Sequence, residues 1–239
     1  MAALGRALAA GLHVVACTGR PFPGALPWVR RLGLVDPFVC YQGAQVRAVD
    51  GSMLLDHGVP HALAIEVVRW CRERGVHVQA YRDDQLLVEH DTPFGRAYSA
   101  HAGMPMHVVP DLDAAMGPTT PKVVIVAEQA DVERMLPEVR QRWAGRLYAA
   151  TSMPTYIEFT HVDSDKRRAL QFLCERLGVS EAATVAVGDG RNDLPMLEWA
   201  GLGVAVADAA PEVLAAADRV IAAPGSGGIA ALVGELLST

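Results

Sequence analysis

The stretch V-A-V-G-D-G-R-N-D, residues 185–193, decides the fold of this chain. Its first three residues are apolar, which is typical of a short strand covered on both faces. Asp189 follows between two glycines, and Asn192 and Asp193 then open a helix, whose N-terminus favours anions. Two carboxylates and an amide this close together suit Mg²⁺, a hard cation that takes oxygen ligands. By itself the same run also fits an Asx turn followed by a helix cap.

Helices and strands alternate on both sides of this stretch. The apolar residues 12–17 predict a buried strand, and residues 21–31 predict a helix after it. Residues 165–177 predict another helix, capped by Asp163 or Ser164. The middle of the chain instead mixes helices with hairpin strands. The pattern predicts an α/β fold, in which residues 1–58 and 160–239 form a Rossmann-like parallel sheet core with helices on both faces, and residues 59–159 form an inserted α+β domain.

Two polar clusters fall where a parallel sheet binds its ligands. In an open parallel sheet, ligands bind beyond the carboxyl ends of the strands. Thr18, Gly19 and Arg20 follow the first apolar strand, and residues 188–193 follow the strand that ends at Val187. We therefore expect the two clusters to converge on one site for an anion and a cation.

The chain uses arginine almost everywhere for positive charge. Among its 21 basic residues only Lys122 and Lys166 are lysines. Lys166 lies in the first turn of its helix, where the helix dipole disfavours a cation. A lysine there suggests a compact charge directed at an anion, although a solvated helix residue fits the pattern equally well. Lys122, at the start of a strand, is predicted to be an exposed strand end.

Composition limits the partners of the protein. Hydrophobic residues make up 51% and charged residues 20% of the chain, as in globular rather than disordered proteins. The net charge of -6 disfavours nucleic acid and anionic membranes, which select basic patches, but it allows a small anionic ligand. The oligomeric state cannot be read from the sequence.

Cysteine spacing and the N-terminal residues indicate a cytoplasmic location. The four cysteines lack paired or metal-binding spacing, so we expect buried, reduced thiols. No apolar run reaches the ~18 residues needed to cross a bilayer. Residues 8–16 loosely resemble a lipoprotein signal, but Gly11 and His13 interrupt the run. A short helix over residues 2–10, followed by the first strand, is the better interpretation.

Taken together, these motifs resemble those of the haloacid dehalogenase-like hydrolases, in particular the Cof-type phosphatases with a large inserted cap. Residues 16–21, A-C-T-G-R-P, are similar to the second motif of that family, and residues 42–44, Q-G-A, to its Asn-Gly-Ala turn. Lys166 falls where the third motif has its lysine. Residues 188–197, G-D-G-R-N-D-L-P-M-L, are similar to the fourth motif and are the most specific part. The resemblance covers nearly the whole chain.

The resemblance implies an enzyme, a Mg²⁺-dependent phosphatase that acts through an aspartyl-phosphate on small phosphorylated metabolites such as sugar phosphates. It implies that Thr18 donates to a phosphate oxygen and that Lys166 neutralises the phosphate and the nucleophile, so both are expected to be catalytic. The implied metal ligands are Asp189 and Asp193. The remaining phosphate-binding residues that it implies are Gly19, Arg20, Gln42, Gly43 and Asn192.

The first motif of the family, D-x-D-G-T, has no counterpart in this sequence. The only D-x-D strings are residues 111–113 and 163–165, and neither is followed by Gly-Thr. The nucleophile, the general acid/base and a central strand worth about 10 kcal/mol are therefore missing. We expect the natural protein to be about 20–30 residues longer, and the chain as given to hydrolyse little. The alternative is a non-catalytic member of the family that binds phosphorylated ligands or a protein partner.

Overall fold

The computed structural model describes residues 1–238, which form two compact units. The first unit contains residues 1–18, residues 26–54 and those from Asp165 onward. The second contains residues 19–25 and 55–164, so the chain passes from one unit to the other between Thr18 and Gly19. Within residues 1–238, every helix is too short or too polar to cross a membrane.

The helices and strands are numbered here in chain order. The helices are α1 (Ala2–Ala9), α2 (Phe22–Arg31), α3 (His61–Arg74), α4 (Pro93–Ala102), α5 (Leu112–Ala115), α6 (Gln129–Arg142), α7 (Lys166–Leu177), α8 (Leu194–Trp199), α9 (Pro211–Ala216) and α10 (Gly228–Leu236). The strands are β1 (Phe38–Cys40), β2 (Gln45–Arg47), β3 (Met53–Asp56), β4 (Val59–Pro60), β5 (His77–Arg82), β6 (Gln85–Val88), β7 (Met106–Val108), β8 (Thr119–Thr120), β9 (Val123–Val126), β10 (Leu147–Ala150), β11 (Tyr156–His161), β12 (Val185–Gly188), β13 (Leu202–Val206) and β14 (Arg219–Ile221).

The first unit is built around a parallel sheet. Strands β12, β13 and β14 lie side by side in chain order, and both pairs are parallel. Their apolar side chains pack with those of α8 and α9, and Val204, Ala205 and Val213 are fully buried in this core. Strands β1, β2 and β3 form a second sheet, in which β1 and β2 are antiparallel. The predicted α/β fold with a parallel sheet is confirmed.

The predicted strand over residues 12–17 is reduced to a single bridge. Cys17 bridges Val39 in parallel, with Val39 N donating to Ala16 O at 2.9 Å and Thr18 N donating to Val39 O at 3.0 Å. A regular strand needs a longer ladder than these two bonds. Within residues 1–238 the segment pairs with β1 alone, which explains why the apolar run does not become a full strand.

The sheet of the second unit has two chemically different faces. Its strands follow the order β10-β11-β9-β5-β6-β7. One face, which includes Val78 and Ile125, packs against α3 and α6 in an apolar core. On the other face, the strand registers place Gln79, Val124 and Glu158 in one row across β5, β9 and β11. We call it the polar face after its polar and tyrosine residues, which are His77, Gln79, Tyr81, Lys122, Tyr156, Glu158 and Thr160.

Lys122 is buried on this polar face, so the prediction of an exposed strand end is wrong. Its Nζ donates to Glu158 Oε1 at 2.9 Å, and Ser152 Oγ donates to the same oxygen at 2.9 Å. The rings of Tyr81 and Tyr98 lie 5.8 and 5.9 Å from the ammonium group. Burial is the largest single influence on the pKa of Lys122 and lowers it, but the charges and hydrogen bonds of Glu158 and Tyr98 together outweigh burial and raise the pKa above its ordinary value. Nothing local in the sequence shows that Glu158 lies opposite this lysine.

Candidate active site

The turn after β12 folds around the side chain of Asp193. This residue is 3% exposed, and its Oδ2 accepts hydrogen bonds from the backbone amides of Asp189 and Gly190, both at 3.0 Å. A Cβ on Gly188 would lie 2.5 Å from Asp193 Cβ, so only glycine leaves room for the buried carboxylate. Asp193 therefore organises the turn as a helix-cap residue that accepts from preceding amides, whereas an Asx turn would accept from an amide two residues further on.

Lys166 supplies a buried positive charge next to this turn. It is the first residue of α7, is 6% exposed, and donates from Nζ to Asp193 Oδ1 at 2.5 Å. The solvated alternative is therefore wrong, since the lysine faces a carboxylate inside the unit. Because a helix N-terminus disfavours a cation, the charge of Asp193 is what stabilises Lys166 in this position.

The cap of α7 is Asp165, rather than Asp163 or Ser164 as predicted. Its Oδ1 accepts from Arg168 N at 2.8 Å, which is the usual geometry of a helix N-cap. Asp165 directly precedes Lys166, so this cap fixes the backbone position of the lysine at the start of α7.

A left-handed turn over residues 41–43 packs against the start of α7. The backbone φ angles of Tyr41, Gln42 and Gly43 are 51°, 62° and 99°. A Cβ on Gly43 would lie 2.3 Å from the carbonyl oxygen of Asp165, so both the φ angle and the close approach require glycine. The turn thus holds the helix terminus that carries Lys166.

Gln42 connects this turn to two other residues of the predicted site. Its backbone amide donates to Thr18 O at 3.3 Å, and its Oε1 accepts from Asn192 Nδ2 at 2.6 Å. These two bonds join three stretches that are far apart in sequence. The carboxyl end of the 12–18 segment and the turn after β12 are therefore tied to one another through Gln42.

Cys17 lies in the field of the same charged groups. Burial raises the pKa of its thiol to about 12, while Lys166 lowers it and Asp193 and Asp165 raise it. The thiol is neutral at physiological pH, so it is not poised as a thiolate nucleophile. The electrostatic interactions of Cys17 with Lys166 and Asp193 show that Cys17 lies close to the buried ion pair. Thr18 is the next residue in the chain.

Most of the predicted site residues lie in the first unit. The contacts above link Thr18, Gln42, Gly43, Lys166, Asn192 and Asp193, and Asp189 belongs to the same turn as Asp193. Gly19 and Arg20 fold with the second unit, so their place in the site stays a prediction. The sequence analysis gave no role to Gly188 or Asp165. The sequence signal for Gly188 was a glycine directly before the acidic turn, and the signal for Asp165 was an acidic residue directly before the helix.

The site has only part of a cation-binding donor set. Asp189 is exposed, and its carboxylate makes no hydrogen bond or ion pair within the described residues. Both oxygens of Asp193 are already bonded, to Lys166 and to two backbone amides. No group of three His, Cys, Asp or Glu residues that could hold a metal occurs in residues 1–238. Asp189 therefore fits a Mg²⁺ ion that keeps several waters, and direct ligation by Asp193 stays a prediction.

Comparison with known proteins identifies the family. The model of the haloacid dehalogenase-like hydrolases matches residues 1–233. The chain is 27% identical to pyridoxal phosphate phosphatase YbhA of Escherichia coli, over 92% of this chain and 84% of that protein. It is 28% identical to 5-amino-6-(5-phospho-D-ribitylamino)uracil phosphatase YitU of Bacillus subtilis, over 95% of this chain and 86% of that protein. The crystal structure of TM0651 from Thermotoga maritima superposes with a TM-score of 0.87 at 27% identity, over 97% of this chain and 88% of that one. The resemblance read from the motifs is confirmed, and the chain belongs to the haloacid dehalogenase-like hydrolases.

Proposed function

We propose that this site hydrolyses small phosphate monoesters in a Mg²⁺-dependent reaction. The observation that carries the proposal is the buried Lys166–Asp193 pair, which lies beside the exposed carboxylate of Asp189. The match to a hydrolase family and the similarity to relatives named as phosphatases support the same reaction class. Phosphoryl transfer needs mainly positioning and charge stabilisation, which this arrangement can supply.

Each residue has a role that its chemistry supports. Thr18 donates its hydroxyl proton to a phosphate oxygen, and the amide of Gly19 donates beside it. Lys166 neutralises charge on the phosphate, because Asp193 holds its ammonium group in place. The remaining phosphate-binding residues in this proposal are Arg20, Gln42, Gly43 and Asn192.

Mg²⁺ would be held by Asp189, with water filling most of its shell. The ion would supply charge neutralisation on the phosphate. Asp193 acts mainly through its bonds to Lys166 and to the amides of Asp189 and Gly190, which orient both groups.

These 239 residues contain no D-x-D-G-T stretch, the motif expected to carry the nucleophile. We therefore propose that they bind phosphate but turn it over very slowly unless a strand with that motif is added. The same observation favours a second candidate, a non-catalytic member that binds phosphorylated ligands or a protein partner.

Hydrolysis of p-nitrophenyl phosphate with Mg²⁺ separates the two candidates. The 239 residues are compared with a chain that also carries any in-frame upstream codons for D-x-D-G-T. The phosphatase proposal predicts turnover in the longer chain and its loss in Asp189→Asn, with Asp163→Asn as the matched control outside the site. If no such codons exist and inorganic phosphate still binds, the non-catalytic candidate is supported. Turnover by the 239 residues that depends on Asp189 would contradict the assignment of the nucleophile.

A further inference from the structure

We infer that helix α4 positions the segment Gly19–Ala25, and with it the predicted phosphate-binding residues Gly19 and Arg20. This inference rests on the proposed function for its meaning, but its structural part stands separately. The segment is sequentially continuous with Thr18, yet it folds with the second unit. Its last four residues form the first turn of α2, and this turn closely approaches the carboxyl end of α4 at Gly24.

The contact between them is made at Gly24. An added Cβ at this position would lie 2.9 Å from the carbonyl oxygen of Ala102, the last residue of α4. The φ angle of Gly24 is not positive, so its backbone conformation does not require glycine. The lack of space requires glycine, because the neighbouring atom is a backbone carbonyl oxygen, which cannot move aside as the end of a long side chain can. Phe22 and Ala25 on either side are 6% and 3% exposed, so the segment is packed.

The N-terminal half of α4 is held by close packing on the polar face. Thr92 caps the helix by accepting from Gly95 N at 3.1 Å, and its Oγ1 lies 2.9 Å from His77 Nδ1. A Cβ on Gly95 would lie 2.7 Å from Met106 Sδ and 2.9 Å from His77 Cε1. The helix therefore approaches the sheet at a small residue and cannot move closer.

The C-terminal half of α4 is held through Tyr98. Its hydroxyl lies 2.5 Å from that of Tyr81, and Tyr98 is 3% exposed. Lys122 lies beneath both rings and interacts with Tyr98 as well as with Glu158. An apolar layer would support a helix without the desolvation of two charges. The buried pair instead gives Tyr98 a fixed polar partner and so sets the position of the helix.

These contacts form a continuous path from the Lys122–Glu158 pair through Tyr98 and α4 to Gly24. Each step is a packed or hydrogen-bonded contact within the second unit. If α4 shifts, the carbonyl of Ala102 shifts against Gly24, and the amides of Gly19 and Arg20 lose their fixed positions. Tyr98, Lys122 and Gly24 are thus positioning residues for phosphate binding.

Hydrogen exchange measures this positioning directly. The variant Tyr98→Phe keeps the ring and removes the hydroxyl, so we expect amide exchange over residues 19–25 to rise about threefold to tenfold, the effect of one lost hydrogen bond. Exchange in β12, β13 and β14 is expected to stay unchanged. Gly24→Ala is also expected to raise amide exchange over residues 19–25, because the added Cβ collides with the carbonyl oxygen of Ala102. The higher helix propensity of alanine would by itself lower the exchange, so the two effects have opposite signs. Gly234→Ala, in helix α10 with no atom near its Cβ, is the matched control.

The phosphate concentration needed to protect these amides from exchange is a second measurement. A purely structural role of α4 would leave that concentration unchanged. In the wild type, phosphate is expected to slow exchange at residues 18–20. Both variants are expected to need about threefold to tenfold more phosphate for the same protection, and saturating phosphate should restore the wild-type exchange. Unchanged exchange over residues 19–25 in both variants would overturn the inference, and so would an equal rise throughout β12–β14. Absence of any phosphate protection in the wild type would count against the proposed function, while the exchange comparison would still decide the role of α4.

Discussion

Each unit of the protein buries one lysine against one carboxylate, and the surroundings of the two pairs differ. The pairs are similar in burial, with side-chain exposures of 7% and 5% for Lys166 and Asp193 and of 3% and 8% for Lys122 and Glu158. Asp193 also accepts from two backbone amides next to the exposed Asp189. Glu158 instead accepts from Ser152, on a face closed by tyrosine rings. The burial of a lysine–carboxylate pair therefore does not distinguish the two units, and the open polar groups next to Lys166 and Asp193 are what make that pair the candidate site.

Breaking the pair in the second unit is expected to give the largest loss of stability. Lys122→Met leaves Glu158 buried without its cation, which typically costs about 3–5 kcal/mol. The double variant Lys122→Met/Glu158→Leu removes both charges, so we expect it to recover most of that loss. Urea unfolding followed by exchange in β5, β9 and β11 measures both. A single variant that loses less than about 1 kcal/mol would show that the pair is not buried in solution.

Replacing Gly43 tests whether the first unit depends on the close approach to α7. Gly43→Ala adds a Cβ 2.3 Å from Asp165 O at a φ of 99°, so we expect a loss of about 2–4 kcal/mol from strain and overpacking together. Gly178→Ala is the control, since its φ of 70° imposes similar backbone strain where no atom lies near the added Cβ. Thermal unfolding of both variants measures the difference. Equal losses would mean that the contact with Asp165 contributes nothing.

The sequence marked both residues of the first pair but only one residue of the second, for a physical reason. Lys166 lies at a helix start, and Asp193 lies in a turn whose composition already indicates anion and cation chemistry, so local rules single out each residue, although not their pairing. Lys122 meets Glu158 only because β9 and β11 are neighbours in antiparallel register. Neither the spacing nor the charge pattern of the chain encodes that register. The one available signal was the rarity of lysine, since Lys122 is one of only two lysines among 21 basic residues.

The same reasoning explains which elements were predicted. The helices predicted over residues 21–31 and 165–177 form within one residue of those bounds, as α2 (Phe22–Arg31) and α7 (Lys166–Leu177), because their start and stop signals lie in the local sequence. Residues 12–17 have a stronger apolar run than either, yet they form a single bridge. Strand formation depends on the neighbouring strands, which the run itself does not specify.

Lys166→Met is expected to separate stability from ligand binding. Asp193 keeps both backbone amide donors, so we expect a loss of about 1–3 kcal/mol, smaller than that of Lys122→Met. Phosphate binding should disappear, whereas in Lys122→Met the Lys166 site should still bind phosphate, about threefold to tenfold more weakly, at temperatures where the protein is folded. Calorimetric titration with inorganic phosphate makes the comparison, and Lys166→Arg tests whether a compact ammonium is needed. Retained phosphate affinity in Lys166→Met would remove this lysine from the proposed site.

The smallest expected effect is a pH dependence of the second unit through His77. A backbone amide donates to Thr92 Oγ1, which leaves the Thr92 hydroxyl proton for His77 Nδ1, while Nε2–H faces Gln79 Oε1 at 3.3 Å. Burial lowers the pKa of His77, and the nearby His90 lowers it further, whereas the bond to Gln79 raises it.

Since folding lowers the pKa of His77, the unfolded state binds more protons than the folded state once the pH falls below about 6.5. The stabilisation is therefore complete above that pH and is lost as the pH falls through the lowered folded pKa, by at most about 1.4 kcal/mol for each pH unit. Unfolding of the second unit at pH 7.5 and 5.5 measures it, and His77→Gln, which cannot titrate, should show the weaker pH dependence. Identical pH dependence in the two proteins would show that His77 is already protonated, or equally accessible to protons, in the folded state. The network that begins at Thr92 would then not hold α4 through a neutral imidazole.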